Sequence, residues 1–249
     1  MKLGGSIITD KKSSYTANIQ AIKTIANVLK TVKSPLLISH GSGSFGHTSA
    51  QKYGGKHGYH SLLGIAKVAK DAAEINRIVM DNLIDEGLPA ISFRPQSFLM
   101  AENGVLKDSF VIPLQEALWQ GLIPVVYGDV ILDTKWKSTI FSGETTLNIL
   151  CRFLQKKYEI PEIIELCDVD GVLNLNQETI PHINTGNWKE INKYLIKNSV
   201  TDVTGGMRHK IESALDIAQL GIKTIITNGN KRESIKKAIE GKAVGTVIS

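Results

Sequence analysis

Five apolar runs divide this sequence, and each stops at glycine or polar residues: "SPLLISH", "GLPAISF", "GLIPVVYGDV", "EIIELCDVDGV" and "GIKTIITNGN". Runs of this length, without polar alternation, read as strands buried on both faces. Amphipathic patterns lie between them, over residues 19–32, 62–85, 145–157 and 207–220. In the last, Met207, Ile211, Ala214, Leu215 and Ala218 share one face at helical spacing. This alternation predicts an α/β fold, a mostly parallel sheet with helices on both faces. Two segments break the rhythm. "LMAENGVLKDSFV" and "VILDTKWKSTIFSG" read as hairpins near the middle of the chain, of the kind that lies over a site. In open sheets of this class ligands collect at the carboxyl ends of the strands. The glycine-rich and polar stretches "GGS", "HGSGSFGH", "YGDV", "CDVDG" and "NGN" fall there.

A chain of 249 residues buries a full core, as one large α/β domain or as two lobes sharing a sheet. There is no internal repeat, low-complexity tract or obvious linker. The formal charge of +5 is mild, its basic residues are dispersed, and aromatics make up only 6%. That balance suits a small anionic substrate and argues against a nucleic-acid stacking platform. Two cysteines, Cys151 and Cys167, imply no disulfide framework and fit a reducing, cytoplasmic setting. No apolar stretch approaches the length of a membrane span, and no signal-peptide pattern opens the sequence.

The chemistry concentrates in a few stretches. In "KLGGS", Lys2 lies on a strand and Gly4, Gly5 and Ser6 form the turn after it. Backbone amides there suit phosphate oxygens, with the lysine neutralising developing charge; a plain strand-to-helix turn is the bland alternative. Neither the P-loop pattern nor a convincing dinucleotide fingerprint is present, since "GSGSFG" lacks the acidic residue that should end a second strand. "HGSGSFGH" is the stronger signal: three glycines and two serines between His40 and His47 form an anion-gripping loop. His47 follows that loop directly and suits a phosphate oxygen. His40 reads as a satisfied core or surface residue. No second ligand stands at metal spacing.

In "TDVTGGMRHK", Thr204 caps a helix that starts at the glycines, Gly206 among them, and Lys210 lies about a turn further on. Asp168 and Asp170 of "CDVDGV" suit ribose hydroxyls, a magnesium ion or a simple Asx turn. Glu144 of "FSGE" either organises the lysines or complements a helix N-terminus. Backbone amides and lysines are plentiful, whereas a catalytic triad, an acid/base carboxylate pair and a thiol nucleophile are missing. Phosphoryl transfer runs on such an inventory, because positioning and charge stabilisation do most of its work.

Together "KLGGSIITDK", "HGSGSFGH", "VVYGDV", "DVDGV" and "TDVTGGM" resemble the amino acid kinase superfamily and, within it, the isopentenyl phosphate kinases. The motifs run from Lys2 to Gly229. The resemblance implies an open αβα sandwich, a single domain over residues 1–249 with an acceptor-phosphate lobe (about 1–140) and a nucleotide lobe (about 141–249). It implies ATP with Mg²⁺, transfer of the γ-phosphoryl group to isopentenyl phosphate, and a homodimer. By motif, Lys2 and Lys11 would stabilise charge on the transferring group, and Gly4, Gly5, Ser6 and Gly43 would line the ATP phosphates. Ser42 (through its backbone), His47 and Gly128 would hold the acceptor phosphate, and Asp168, Gly206 and Lys210 would serve the nucleotide. The acceptor tail would lie against Leu62, Leu63, Ile65 and Ala66.

This chain also departs from the family pattern. Glu144 replaces the usual aspartate, Cys167 a threonine or serine, Leu173 a tyrosine, and Ser42 a glycine or alanine. The rival readings are a kinase of the same fold acting on another small phosphate or phosphonate such as fosfomycin, and a nucleotide-binding sensor or storage protein without turnover.

Overall fold

The computed structural model describes residues 1–10, 13–55, 58–59, 61–197 and 206–249. They divide into two compact units, Met1–Leu154 and Gln155–Ser249. The first unit carries strands β1 (Lys2–Leu3), β2 (Ile38–His40), β3 (Gly54–Gly55), β4 (Gly58–Tyr59), β5 (Ala90–Ser92), β6 (Leu99–Glu102), β7 (Val105–Ser109), β8 (Ile123–Tyr127), β9 (Asp129–Asp133) and β10 (Lys137–Phe141). Its helices are α1 (Gly5–Ile8), α2 (Ile19–Leu29), α3 (Gly43–Tyr53), α4 (Leu62–Asp85), α5 (Ile112–Trp119) and α6 (Gly143–Leu154).

The strands β1, β2, β8 and β5 lie side by side in that order, and every pairing among them is parallel. The register decides where the chemistry goes. Leu3 pairs with His40, and His40 with Tyr127. The residues that follow, Gly4, Gly41 and Gly128, therefore leave the sheet at one edge.

The two expected hairpins form a second sheet in the order β10-β9-β6-β7. Asn103 and Gly104, both at positive φ (52° and 78°), make the tight turn between β6 and β7 that an Asn-Gly pair favours. The Asp133 carboxylate accepts from both of their amides, at 3.2 and 2.7 Å. Leu99, Ala101, Ile131 and Phe141 are the core of this sheet. Its long neighbour α4 starts where Ser61 caps it, the hydroxyl accepting from the Gly64 amide at 3.0 Å. Val68, Ala72, Ile75, Val79 and Leu83 supply its buried stripe.

The second unit carries β11 (Glu162–Cys167), β12 (His182–Ile183), β13 (Lys223–Asn228) and β14 (Thr246–Ile248), with α7 (Thr185–Lys197), α8 (Gly206–Ala218) and α9 (Arg232–Ile239). Strand order is β12-β14-β13-β11, and only β13–β14 is antiparallel. Cys167 pairs with Asn228 across β11 and β13, so the "DVDG" and "NGN" stretches also share an edge. Val172, Ile211, Leu215, Ile226 and Ile248 form its core.

Both units thus have the mixed α/β, mostly parallel character that the sequence predicts. Several boundaries differ from expectation. The run "GLIPVVYGDV" is two strands broken at Gly128, and α2 stops at Leu29 rather than at 32. Helix α6 covers Gly143–Leu154 rather than 145–157, and α8 covers Gly206–Ala218 rather than 207–220. Among the described residues no helix is long and apolar enough to cross a membrane.

Candidate active site

At the shared edge of the first unit the glycine turns interlock. A β-carbon on Gly5 would lie 2.8 Å from both the amide nitrogen and Cα of Gly43, closer than real β-carbons come to any backbone. Gly43 itself sits at φ +49°, where a side chain would also meet the Thr9 hydroxyl. Thr9 binds the two turns together: its hydroxyl donates to the Gly5 carbonyl at 2.7 Å and accepts from the Ser44 amide at 3.0 Å. A third contact joins the next pair, since a β-carbon on Gly128 would stand 3.0 Å from the Gly143 amide nitrogen. The Gly128 amide donates to the His40 carbonyl at 3.0 Å, and Ser39 Oγ donates to the Gly143 carbonyl at 2.6 Å. Backbone packed this closely presents peptide dipoles rather than side chains, which is chemistry suited to a phosphoryl group.

Two expected loops are partly helical. "GGS" leads into the single turn α1, and α3 begins inside "HGSGSFGH" at Gly43, with Ser42 as its cap residue. Helix starts leave amides without intrahelical acceptors, so the change keeps the anion-binding character of the stretch.

Lys2 projects from β1 and is 7% exposed. Its ammonium donates to Glu144 Oε2 at 3.0 Å, with the two side chains 8% and 13% exposed. Glu144 also occupies the first turn of α6. Its two sequence readings, lysine partner and dipole complement, therefore coincide in one carboxylate. The extra methylene relative to aspartate does not prevent the ion pair. In this low-dielectric setting the pair fixes the lysine's direction more firmly than a surface bridge would.

The two histidines diverge. His40 is fully buried and stacks on Tyr127, with ring centroids 5.5 Å apart. Its Nδ1–H donates to the Gly41 carbonyl at 2.9 Å, and Nε2 lies 3.2 Å from Asn76 Oδ1. Burial pushes its imidazole below the ordinary value, outweighing the opposite pull of the two oxygens it faces, the Gly41 carbonyl and Asn76 Oδ1. It is a core residue behind the glycine turns. His47 is exposed on α3, one turn beyond Gly43. Leu62, Leu63 and Ala66 are exposed at the start of α4, whereas Ile65 is partly buried against Val68, Ala69 and Val130.

In the second unit Lys210, on α8, donates to Cys167 Sγ at 3.1 Å. Gly206 opens that helix. Asp168 is exposed just past β11. Asp170, two residues on, accepts from Asn228 Nδ2 at 2.9 Å and pairs with Lys231 at 2.7 Å, which holds its carboxyl below the ordinary value. Lys11, Thr204 and Gly205 lie outside the described residues.

Several residues around these turns carry little signal in the sequence. Thr9 follows "GGSII" closely enough to have been considered, because a β-branched hydroxyl one helical turn past a glycine pair reaches back to it. Tyr15 gave no signal. It sits at φ +55°, donates to Asp71 at 3.0 Å and packs edge-on against Phe45 of α3. Arg94 and Asp129 were missed as a pair because 35 residues separate them.

Interlocked glycine turns beside a buried lysine–carboxylate pair, at the carboxyl edge of a parallel sheet, define a phosphoryl-handling α/β protein. A sequence model of the amino acid kinase family matches residues 1–228, and the chain belongs to that family. Its full-length relatives are more particular. The isopentenyl phosphate kinase of Methanocaldococcus jannaschii is 32% identical over all of this chain and 97% of its own. That of Methanothermobacter thermautotrophicus is 34% identical over all of this chain and 98% of its own. A solved isopentenyl phosphate kinase structure, 29% identical, covers 99% of this chain and 98% of its own with a TM-score of 0.82.

Proposed function

We propose that this chain is an ATP-dependent isopentenyl phosphate kinase, converting isopentenyl phosphate to isopentenyl diphosphate. The observation that carries the reading is the Lys2–Glu144 pair set among interlocked glycine turns, in a chain whose relatives of that name match it end to end. MgATP supplies the γ-phosphoryl group. Lys2, held by Glu144, and Lys11 place positive charge where negative charge spreads in the transition state. The backbone of Gly4, Gly5, Ser6 and Gly43 lines the ATP phosphates, and Ser42, Gly128 and His47 take the acceptor phosphate. His47 acts as a ligand, not as a nucleophile. Asp168, Gly206 and Lys210 serve the nucleotide. Leu62, Leu63, Ile65 and Ala66 receive the acceptor's apolar tail.

Among the described residues no three His, Cys, Asp or Glu side chains are grouped to hold a metal. Magnesium suits this arrangement because substrate phosphates supply most of its ligands in kinase sites. A homodimer in the cytoplasm completes the reading.

A coupled ADP-release assay tests it, run against isopentenyl phosphate, dimethylallyl phosphate, fosfomycin and UMP. Fastest turnover with isopentenyl phosphate is expected. Preference for fosfomycin or UMP would replace the acceptor, and ATP binding without turnover would favour a sensor.

A further inference from the structure

Asp129 follows Gly128 directly, and its side chain is fully buried, at 0% exposure. One carboxylate oxygen accepts from the Val130 amide at 2.7 Å, and the other from Arg94 Nε at 3.4 Å. Arg94, 40% exposed, uses another nitrogen to donate to the Ala69 carbonyl of α4 at 3.2 Å. One guanidinium thus grips a helix on one side and the residue after Gly128 on the other. Val130 continues the link, packing with Val68 and Ala69 of α4, against which Ile65 lies. Gly128 is meanwhile pinned to the His40 carbonyl and pressed on Gly143.

We propose that Arg94 and Asp129 are a positioning pair that fixes the Gly128 turn relative to the apolar start of α4, and so sets the length of acceptor the site takes. The proposal rests on the kinase reading above: Gly128 meets the acceptor's phosphate and the start of α4 its tail. A buried carboxylate is a stringent spacer, because both oxygens need partners at fixed distances. The pair's role is to position the two elements that meet phosphate and tail.

The test uses Arg94→Met, Asp129→Asn and the double variant in the full chain, with steady-state kinetics on isopentenyl phosphate and the longer geranyl phosphate. Each single change is expected to raise KM for isopentenyl phosphate about tenfold, the scale of one lost charged hydrogen bond. KM for ATP should stay put, and preference for the shorter acceptor should shrink. The double variant should be no worse than the worse single one. Arg94 is half-exposed, so Arg94→Met keeps the test alive where Asp129→Asn does not fold.

An acceptor KM that is unchanged, that rises together with the KM for ATP, or that rises equally for both acceptors would overturn the assignment. If the wild type uses dimethylallyl phosphate, fosfomycin or UMP but not isopentenyl phosphate, the acceptor reading fails. The pair is then tested on the acceptor that is used, by the same split between the two KM values. Turnover with none of them overturns both.

Discussion

Two lysine–carboxylate pairs, one in each unit, differ in nearly everything except chemistry. Lys2 and Glu144 stand 142 residues apart in sequence, are 8% and 13% exposed, and meet beside packed glycine backbone. Lys231 and Asp170 meet at a similar distance but are 57% and 51% exposed. Water screens the second pair and leaves it adaptable, whereas the first can relax only if its surroundings move. A charge meant for a transferring phosphoryl group needs the first kind of setting, where its direction is settled before substrate arrives. The second kind suits a surface where charges rearrange at little cost.

The sharpest way to break this contrast is Lys2→Met. It should lower kcat by about 10²–10³, the scale of losing one preorganised charge in a transition state. It should also destabilise by about 3–5 kcal/mol, because Glu144 is left buried and unpaired. Adding Glu144→Leu should return much of the stability in a urea titration and none of the turnover. If the double variant regains turnover, the pair serves the fold alone.

Gly5→Ala probes the backbone side of the same region. Its β-carbon would press on Gly43, so a loss of about 1–3 kcal/mol is expected, with turnover falling further than stability alone explains. Normal activity would mean that the close approach of the two turns is dispensable.

Asp129 gives a pH signature. Burial raises its carboxyl from an ordinary 3.8 to about 6, against the pull of the Val130 amide and Arg94. The folded chain therefore holds this proton more tightly than the unfolded chain does. The stabilisation is complete below about pH 4 and is lost as pH rises to about 6, a change of about 2–3 kcal/mol. Asp129→Asn should flatten that part of the stability curve, and an unaltered curve would deny the shift. The smallest effects belong to the second unit. Lys231→Met should move stability by no more than about 1 kcal/mol. Cys167→Thr should leave kcat unchanged, since either side chain can accept from Lys210.

Much of the architecture was legible because long-range order followed from local pattern. Apolar runs ending in glycine or polar residues marked β2, β5, β8, β11 and β13, and the boundaries of α4 could be read directly from its stripe. The two- and three-residue strands β12 and β14 carry no such run. The start of α3 was obscured because glycine-rich sequence argues against a helix, and only packing against Gly5 and Thr9 makes Gly43 a helix start. "GLIPVVYGDV" read as one strand because nothing local says that Gly128 must bend away to meet Gly143. The candidate site residues could be named from the sequence but their contacts could not. For Glu144 charge left two readings open, lysine partner or dipole complement, and the register of β1 against β2 determined where Lys2 emerges to meet it. The Arg94–Asp129 and Tyr15–Asp71 links were invisible, since each joins residues far apart with no periodic signal between them.

The most direct test follows phosphorus NMR of MgATP and isopentenyl phosphate with wild type and with Lys2→Met at matched concentration. Diphosphate signals should grow with ADP in the wild type and at least about a hundredfold more slowly in the variant. No diphosphate from the wild type, or undiminished diphosphate from Lys2→Met, would contradict this expectation.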